Sequence, residues 1–173
     1  KSGFVRNLKL SEIVDQVFAA RTLLSPDQKI TNLVFMGMGE PFLNYDEVIK
    51  FLNIAIHPKG IVIASRKITV SSAGIVPMIE RFGEETKANL AISLNAATDK
   101  IRNSIMPINK KYPLKTLIEA CKRYLSIVKN RHITIEYILI KDLNDSIEDA
   151  KGLVNLLKDI RLNVKINLIP FNQ

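Results

Sequence analysis

The sequence predicts an α/β protein in which helices pack outside a parallel β-sheet. Short apolar segments of strand length alternate with longer segments of helical period, and this alternation repeats four times before a last strand. Four of the apolar segments also end in small or polar residues. Parallel strands need a crossover between them, usually a helix, so such an alternation is typical of a parallel sheet. The pattern is compatible with a barrel and with an open, doubly wound sheet.

The composition is that of one globular domain with a basic surface. The chain has 173 residues, a net charge of +8 and one cysteine, Cys121. We interpret residues 1–173 as a single domain, since no linker or repeat interrupts them. One cysteine excludes an internal disulfide framework and fits a reducing, cytoplasmic setting. The charge favours an anionic partner such as RNA or DNA, although a solvated basic surface explains it equally well. No apolar run approaches the ~18 residues needed to cross a bilayer, so no membrane partner is expected.

The first half of the chain is predicted to contain two helices and two strands. Apolar residues at helical spacing predict a helix that starts at Ser11, as its N-cap, and runs to about residue 24. The apolar run at residues 33–36 is too short for a helix and predicts a strand buried on both faces. A second helix at residues 44–56 and a β-rich strand at residues 67–71 follow.

The second half continues the same alternation and closes on a strand. Its predicted elements are, in order, a helix at 75–81 closed by Gly83, a strand at 90–94, a short helix capped by Thr98 or Asp99, a long helix from Pro113, a strand at 133–140, a helix starting at 144–146 and a strand at 164–169.

Small and polar residues follow four of the predicted strands. If the strands are parallel, these residues lie at one end of the sheet, which is where ligands bind in such folds. They are Gly39 and Glu40, Ser71 and Ser72, Ser93 and Asn95, and Asn172. One carboxylate with several hydroxyls and amides suits a polar cofactor that carries an amine, a ribose and a base. The set contains no nucleophile with a partnered base and no cluster of metal ligands.

Each of these residues also has a purely structural interpretation. Glu40 precedes a proline and is compatible with a carboxylate that caps a helix. The serines are compatible with ordinary turn residues, and Asn95 and Asn172 with Asx turns. Cys121 lies on the apolar face of a predicted helix and is interpreted as a core residue.

Six stretches of the chain together resemble one family. They are Gly3-Phe-Val-Arg-Asn-Leu8, Met36-Gly-Met-Gly-Glu-Pro41, Ile92-Ser-Leu-Asn-Ala96, Arg102-Asn-Ser-Ile-Met-Pro-Ile-Asn-Lys-Lys-Tyr112, Ile133-Thr-Ile-Glu-Tyr137 and Ile166-Asn-Leu-Ile-Pro-Phe-Asn172. The family is that of the radical S-adenosylmethionine methyltransferases that modify carbon 2 of an adenine in large-subunit ribosomal RNA, and in bacteria also in some transfer RNAs. A Gly-Glu pair after a strand is common to many radical S-adenosylmethionine proteins. The combination of the second stretch, Met36 to Pro41, with the fourth, Arg102 to Tyr112, is specific to this family.

The resemblance implies a partial (β/α)6 barrel whose first strand and C-terminal extension are missing. It implies S-adenosylmethionine and a 4Fe–4S cluster as cofactors. Gly39 and Glu40 would meet the amino-acid end of S-adenosylmethionine, where Glu40 would accept a charge-assisted hydrogen bond from the ammonium group. The other implied contacts are those of Ser71, Ser93, Leu94 and Asn95 with the carboxylate and ribose region, and of Asn172 with the adenine. Asn95 stands where many relatives carry histidine.

The resemblance also implies that part of the machinery lies outside this chain. The three cysteines that hold the cluster would precede Gly3, and Cys121 matches neither of the two cysteines that carry and resolve the methyl group. We therefore expect a fragment that is inactive alone, with no catalytic residue and no metal ligand of its own. The implied partners are ribosomal RNA, transfer RNA and an electron donor for the cluster, and the full-length enzyme is expected to be a monomer.

Two other functions are also compatible with the sequence. One is another radical S-adenosylmethionine enzyme, such as a glycyl-radical activating enzyme, which shares the Gly-Glu pocket but predicts neither the Lys-Lys-Tyr stretch nor a basic chain. The other is a non-catalytic RNA-binding module, which predicts RNA affinity with a steep salt dependence and no effect of Glu40→Ala.

Overall fold

A computed structural model describes residues 4–129 and 131–171, and within them helices and strands alternate as predicted. The helices and strands are α1 (Leu10–Thr22), β1 (Leu33–Phe35), α2 (Tyr45–Ile56), β2 (Ile68–Ser72), α3 (Val76–Glu85), β3 (Asn89–Ser93), α4 (Asp99–Ile105), α5 (Leu114–Ile127), β4 (Ile133–Leu139), α6 (Ile147–Leu156) and β5 (Val164–Pro170). Short 3₁₀ helices cover Pro41–Asn44, Ser65–Lys67, Pro107–Lys110 and Arg161–Asn163.

The strands form one parallel sheet whose strand order follows the order of the chain. β1 pairs with β2, β2 with β3, β3 with β4 and β4 with β5, and each pair is parallel. A doubly wound sheet reverses its strand order at a switch point, whereas the wall of a (β/α) barrel does not. The sequential order therefore confirms the α/β prediction and favours the barrel over the open, doubly wound sheet.

The two faces of the sheet differ in chemistry. One face is apolar and packs on the helices; its central side chains are fully buried, among them Ile68, Val70, Leu90, Ile92, Ile133 and Ile135. The register of the strands places Thr69, Ser71, Ala91, Ser93, Thr134 and Glu136 on the opposite face, which we call the polar face. Right-handed crossovers between consecutive strands bring the connecting helices to the same side of the sheet. The polar face is therefore left free to line a site.

Two predicted helix ends differ from the structure. Helix α1 starts one residue before Ser11, with Lys9 as its N-cap, and the Glu12 carboxylate accepts a 2.8 Å hydrogen bond from the Lys9 N–H. Gly83 does not close helix α3 but lies within its last turn. A Cβ at Gly83 would lie 2.9 Å from Cδ2 of Tyr124, so glycine allows α3 and α5 to pack closely.

Strand β1 is not buried on both faces, and this prediction is wrong. Val34 is 61% exposed and Leu33 and Phe35 are only half-buried. The cause is the position of β1 at an edge of the sheet, where the described residues provide one neighbouring strand only. Phe35 still packs on the helix side, with its ring centroid 5.4 Å from that of Phe51.

We expect the isolated chain to self-associate through this edge. The outer edge of a strand that has only one neighbour presents free N–H and C=O groups. At β1 and directly after it, the side chains of Val34 and Met36 are exposed as well. Sedimentation velocity over a concentration series should show a rising weight-average sedimentation coefficient, which Val34→Lys lowers to the monomer value. Val154→Lys, at a similarly exposed valine of α6, should leave the association unchanged. A wild-type chain that stays monomeric at the highest concentration would contradict this expectation.

Candidate functional site

Side chains on or just after β1 to β4 make hydrogen bonds between neighbouring strands near the carboxyl end of the sheet. The side chain of Glu40, after β1, contacts the loop after β2. Ser71 of β2 and Ser93 of β3 both contact Glu136 of β4. The structure therefore brings together residues that the sequence placed at separate strand ends.

Glu40 braces two loops through its carboxylate. Its Oε1 accepts a 3.0 Å hydrogen bond from the Phe42 N–H, so Glu40 caps the 3₁₀ helix Pro41–Asn44. Its Oε2 accepts a 2.6 Å hydrogen bond from the Ala73 N–H, in the loop after β2. The preceding Gly39 has a φ of +96°, which favours glycine. The capping interpretation is thus confirmed. A carboxylate has about four lone-pair positions, so acceptor capacity remains and a contact with a ligand stays a prediction.

Ser71, Ser93 and Glu136 form a cluster on the polar face. Ser71 Oγ donates to Glu136 Oε2 at 2.6 Å, and Ser93 Oγ donates to the same oxygen at 3.2 Å. Glu136 is only 8% exposed, and it was not among the predicted site residues. Its signal in the sequence is a charged residue inside an apolar strand, in the segment Ile133-Thr-Ile-Glu-Tyr137. Charged side chains are rarely buried without a function or a partner.

Ser72 behaves as a turn residue. It points to the opposite face from Ser71, and its Oγ accepts from the N–H groups of Gly74 and Ile75 at 3.0 and 3.4 Å. The structural interpretation therefore holds for this serine.

Leu94 and Asn95 are held by the protein itself. Leu94 is fully buried, its N–H donates to the Glu136 carbonyl at 2.9 Å, and its own carbonyl accepts from Arg102. Asn95 has a φ of +59°, and its Oδ1 accepts a 2.9 Å hydrogen bond from the Ile138 N–H of β4. Its Nδ2 lies 3.3 Å from Met106 Sδ, a weak acceptor. Asn95 thus joins β3 to β4, and ligand contacts by either residue remain predictions. Asn172 lies outside the described residues, and its predicted contact with adenine also stays a prediction.

A buried arginine fixes the strand ends beneath the site. Arg102 of α4 is fully buried and donates to three backbone carbonyls, those of Ala73, Ser93 and Leu94, at 2.7, 3.2 and 2.9 Å. Its Nη1 donates to Asn109 Oδ1 at 2.9 Å. Burial lowers the pKa of Arg102 to about 10, so the guanidinium remains charged at neutral pH. This arginine spans the ends of β2 and β3, a role that its place in a short predicted helix did not reveal.

Asn109 and Asp99 complete the support for Arg102. Asn109 is 1% exposed, and its Nδ2 donates to Asp99 Oδ1 and to Asn103 Oδ1, both at 2.8 Å. Asp99 Oδ1 also accepts from the Leu114 N–H at the start of α5. The segment from Arg102 to Tyr112 therefore has a structural task in addition to any role toward a ligand.

Cys121 is a core residue, as predicted. It is fully buried on α5, and burial raises the pKa of its thiol to about 12. Among residues 4–129 and 131–171, no three His, Cys, Asp or Glu side chains form a group that could hold a metal ion. In the same part of the chain, no helix combines the length and the apolar character needed to cross a membrane.

Comparisons with known proteins agree with the observed fold. The family model of the Radical SAM superfamily matches residues 2–157. The dual-specificity RNA methyltransferase RlmN of Geobacter sulfurreducens is 52% identical over 168 residues, which are 97% of this chain and 45% of the relative. The protein of the same name from Parvibaculum lavamentivorans is 50% identical over 177 residues, with 97% and 44% of the two chains covered.

The fold of a solved structure agrees with these sequence comparisons. The crystal structure of a radical SAM methyltransferase from Sphaerobacter thermophilus superposes with a TM-score of 0.94 at 42% identity, over 99% of this chain and 50% of that chain. The chain thus spans about half the length of the relatives that it matches.

Proposed function

The chain belongs to the Radical SAM superfamily, and on that basis we propose that it is the central part of the barrel of an RNA methyltransferase that uses S-adenosylmethionine. The proposed reaction is the methylation of carbon 2 of an adenine in large-subunit ribosomal RNA, with some transfer RNAs as further substrates. About 50% identity to proteins named dual-specificity RNA methyltransferases favours this reaction over that of a glycyl-radical activating enzyme. The net charge of +8 complements an RNA substrate.

One observation carries the proposal of a binding site. Ser71, Ser93 and Glu136 contact one another near the carboxyl end of a parallel sheet, and the Glu40 carboxylate bonds to the loop that follows Ser71, at Ala73. This set is rich in hydrogen-bond acceptors and negative charge. S-adenosylmethionine carries an ammonium group, a sulfonium and two ribose hydroxyls, so it offers donors and positive charge to such a site. In this proposal Glu40 receives the ammonium, and the serines, with Leu94, Asn95 and Asn172, line the rest of the ligand.

The iron–sulfur cofactor of the proposed enzyme is not held by these residues. The chain has one cysteine, and that cysteine is buried in the core, so a set of three cysteine ligands has to come from elsewhere in the protein. Held by those ligands, a 4Fe–4S cluster would supply the reducing electron for the radical reaction, and an electron donor for the cluster is part of the proposal. The contribution of the described residues is to bind and orient S-adenosylmethionine. We further propose that the full-length enzyme is cytoplasmic and monomeric.

Binding of S-adenosylmethionine to this chain, and its dependence on Glu40, tests the proposal. We expect saturable, weak binding in an NMR chemical-shift titration, a method that measures millimolar affinities. Glu40→Gln should weaken it about tenfold or more, because a hydrogen bond to a charged group is worth ~1.5–3 kcal/mol.

Glu47→Gln is a matched control, since Glu47 also accepts a backbone N–H, that of Leu10 at 2.9 Å, but lies on α2 away from the site. The proposal is wrong if the wild-type chain shows no saturable binding. A Glu40→Gln variant that binds as tightly as the wild type would remove Glu40 from the site.

A further inference from the structure

Glu136 is a buried carboxylate whose two oxygens differ in their hydrogen bonding. Its Oε2 accepts from Ser71 and Ser93, whereas no donor among the described residues bonds to its Oε1. Within residues 4–129 and 131–171, the only fully buried side-chain nitrogen or oxygen atoms without a partner are the hydroxyls of Tyr45 and Tyr124. Oε1 is therefore not sealed in the core but opens to the polar face.

The charge of Glu136 is not neutralised by the part of the chain that the structure describes. None of the ion pairs found there includes Glu136. Its neighbours across the sheet are Ser93 on β3 and Asn167 on β5, and both are uncharged. A carboxylate oxygen without a donor can accept a hydrogen bond from a ligand, and a ligand that also carries positive charge would complement the carboxylate.

The positions of the two serine protons determine which ligand groups the cluster of Ser71, Ser93 and Glu136 can bind. A serine hydroxyl has one proton, and the 2.6 Å separation of Ser71 Oγ from Glu136 Oε2 is typical of a charge-assisted hydrogen bond. Ser93 Oγ lies 3.2 Å from the same carboxylate oxygen and 3.4 Å from Ser71 Oγ, so its proton is best placed on the carboxylate as well. Both hydroxyls then turn only lone pairs toward the open side.

We propose that Glu136 is a positioning residue of the S-adenosylmethionine site. By taking the protons of Ser71 and Ser93, it makes these three side chains an acceptor patch, consisting of Ser71 Oγ, Ser93 Oγ and Glu136 Oε1. The acceptor patch recognises hydrogen-bond donors of S-adenosylmethionine, foremost its ribose hydroxyls because Glu40 is proposed to receive the ammonium group, and repels its carboxylate. This inference rests on the proposed function and narrows the sequence prediction that placed Ser71 near both the carboxylate and the ribose.

The test is a Glu136→Gln variant of the chain, titrated with three ligands by NMR. Glutamine keeps the volume of the side chain but removes its charge, and its amide can donate to the serines and release their protons toward the ligand. We expect the dissociation constant of S-adenosylmethionine to rise about tenfold, as for the loss of a hydrogen bond to a charged group. 5′-Methylthioadenosine retains the ribose without the ammonium, and methionine retains the ammonium without the ribose. The one whose binding weakens in the variant identifies the donor that the acceptor patch holds.

Two further variants separate positioning from a general structural role. Thr134→Val alters the same face of β4 one pleat before Glu136 and should bind all three ligands as the wild type does. Ser71→Ala leaves Glu136 in place and should weaken the binding of the same ligands as Glu136→Gln does. The double variant should bind them no more weakly than the weaker-binding single variant. Ser71→Ala also keeps the test decisive if Glu136→Gln does not fold.

The outcomes distinguish this inference from the proposed function. If the wild-type chain does not bind S-adenosylmethionine, both fall. If the wild type binds S-adenosylmethionine, but Glu136→Gln and Ser71→Ala bind all three ligands as tightly as the wild type does, the acceptor patch is overturned while the proposed function stands. Equal weakening of 5′-methylthioadenosine and methionine together with a lowered urea midpoint would mean a structural role and would also overturn the inference.

Discussion

Replacing Arg102 by methionine is expected to lower the free energy of unfolding by at least about 3 kcal/mol. Methionine fills a similar apolar volume but donates no hydrogen bond, so the carbonyls of Ala73 and Leu94 and the side chain of Asn109 would lose their charged partner. Each such buried acceptor costs ~1–3 kcal/mol when left without a donor, and the costs are not fully additive. Urea denaturation followed by circular dichroism measures the change.

Arg123→Met is the control for this experiment. Arg123 makes an ion pair with Glu80 at 2.7 Å, but its side chain is 49% exposed, so its loss should cost about 1 kcal/mol or less. Arg102→Lys should recover only part of the stability, because a lysine ammonium lacks the planar fork that reaches acceptors at the ends of two strands and on Asn109 at once. An Arg102→Met variant as stable as Arg123→Met would show that the strand ends do not depend on this arginine.

Replacing Asn144 by alanine is expected to destabilise the chain by about 3 kcal/mol. Asn144 is 1% exposed, and its side chain makes three hydrogen bonds at the carboxyl end of the sheet. Its Nδ2 donates to the carbonyls of Asn95 and Ile138 at 2.8 and 2.7 Å, and its Oδ1 accepts from the Ile140 N–H at 2.7 Å. Alanine would leave two carbonyls and one N–H without these partners.

The same variant should also affect the candidate site, because Asn144 holds the backbone of Asn95. The amide resonances of Asn95 and its neighbours should shift, while those of α1 stay in place. Asn155→Ala is the matched control: Asn155 is exposed on α6, and its replacement should change stability by no more than about 0.5 kcal/mol. A stable Asn144→Ala variant with unchanged resonances at Asn95 would contradict the role assigned to Asn144.

The sequence predicted the parallel α/β fold and the meeting of the strand ends because both follow from local patterns. Ser71 and Ser93 each close an apolar strand, and parallel pairing then brings them to one end of the sheet. The apolar run alone predicted a β1 buried on both faces, because it does not reveal whether a strand is central or at an edge, whereas the missing first strand implied by the family resemblance predicts the exposed edge. The position of a strand in the sheet depends on which strands pair, and here it leaves Val34 exposed.

The supporting residues of the site were not predictable in the same way. Arg102 belongs to a predicted short helix, but its acceptors are backbone carbonyls at the ends of two strands, and a sequence pattern does not show which carbonyls a side chain reaches. Glu136 stands out as a charged residue in an apolar strand, but the strand pattern does not show whether its side chain meets solvent or a buried polar cluster. Its burial depends on Ser71 and Ser93, which lie 65 and 43 residues away in the chain.

The sequential strand order has a consequence for how the chain acquires its structure. Every sheet contact joins strands that are consecutive in the chain, so each new strand–helix unit can dock on the one already formed. A chain that emerges from the ribosome can therefore pair β1, β2 and β3 before β5 has been synthesised. In the folded chain, opening should start from the two outer strands, and the amide protons of the central β3 should exchange with solvent last.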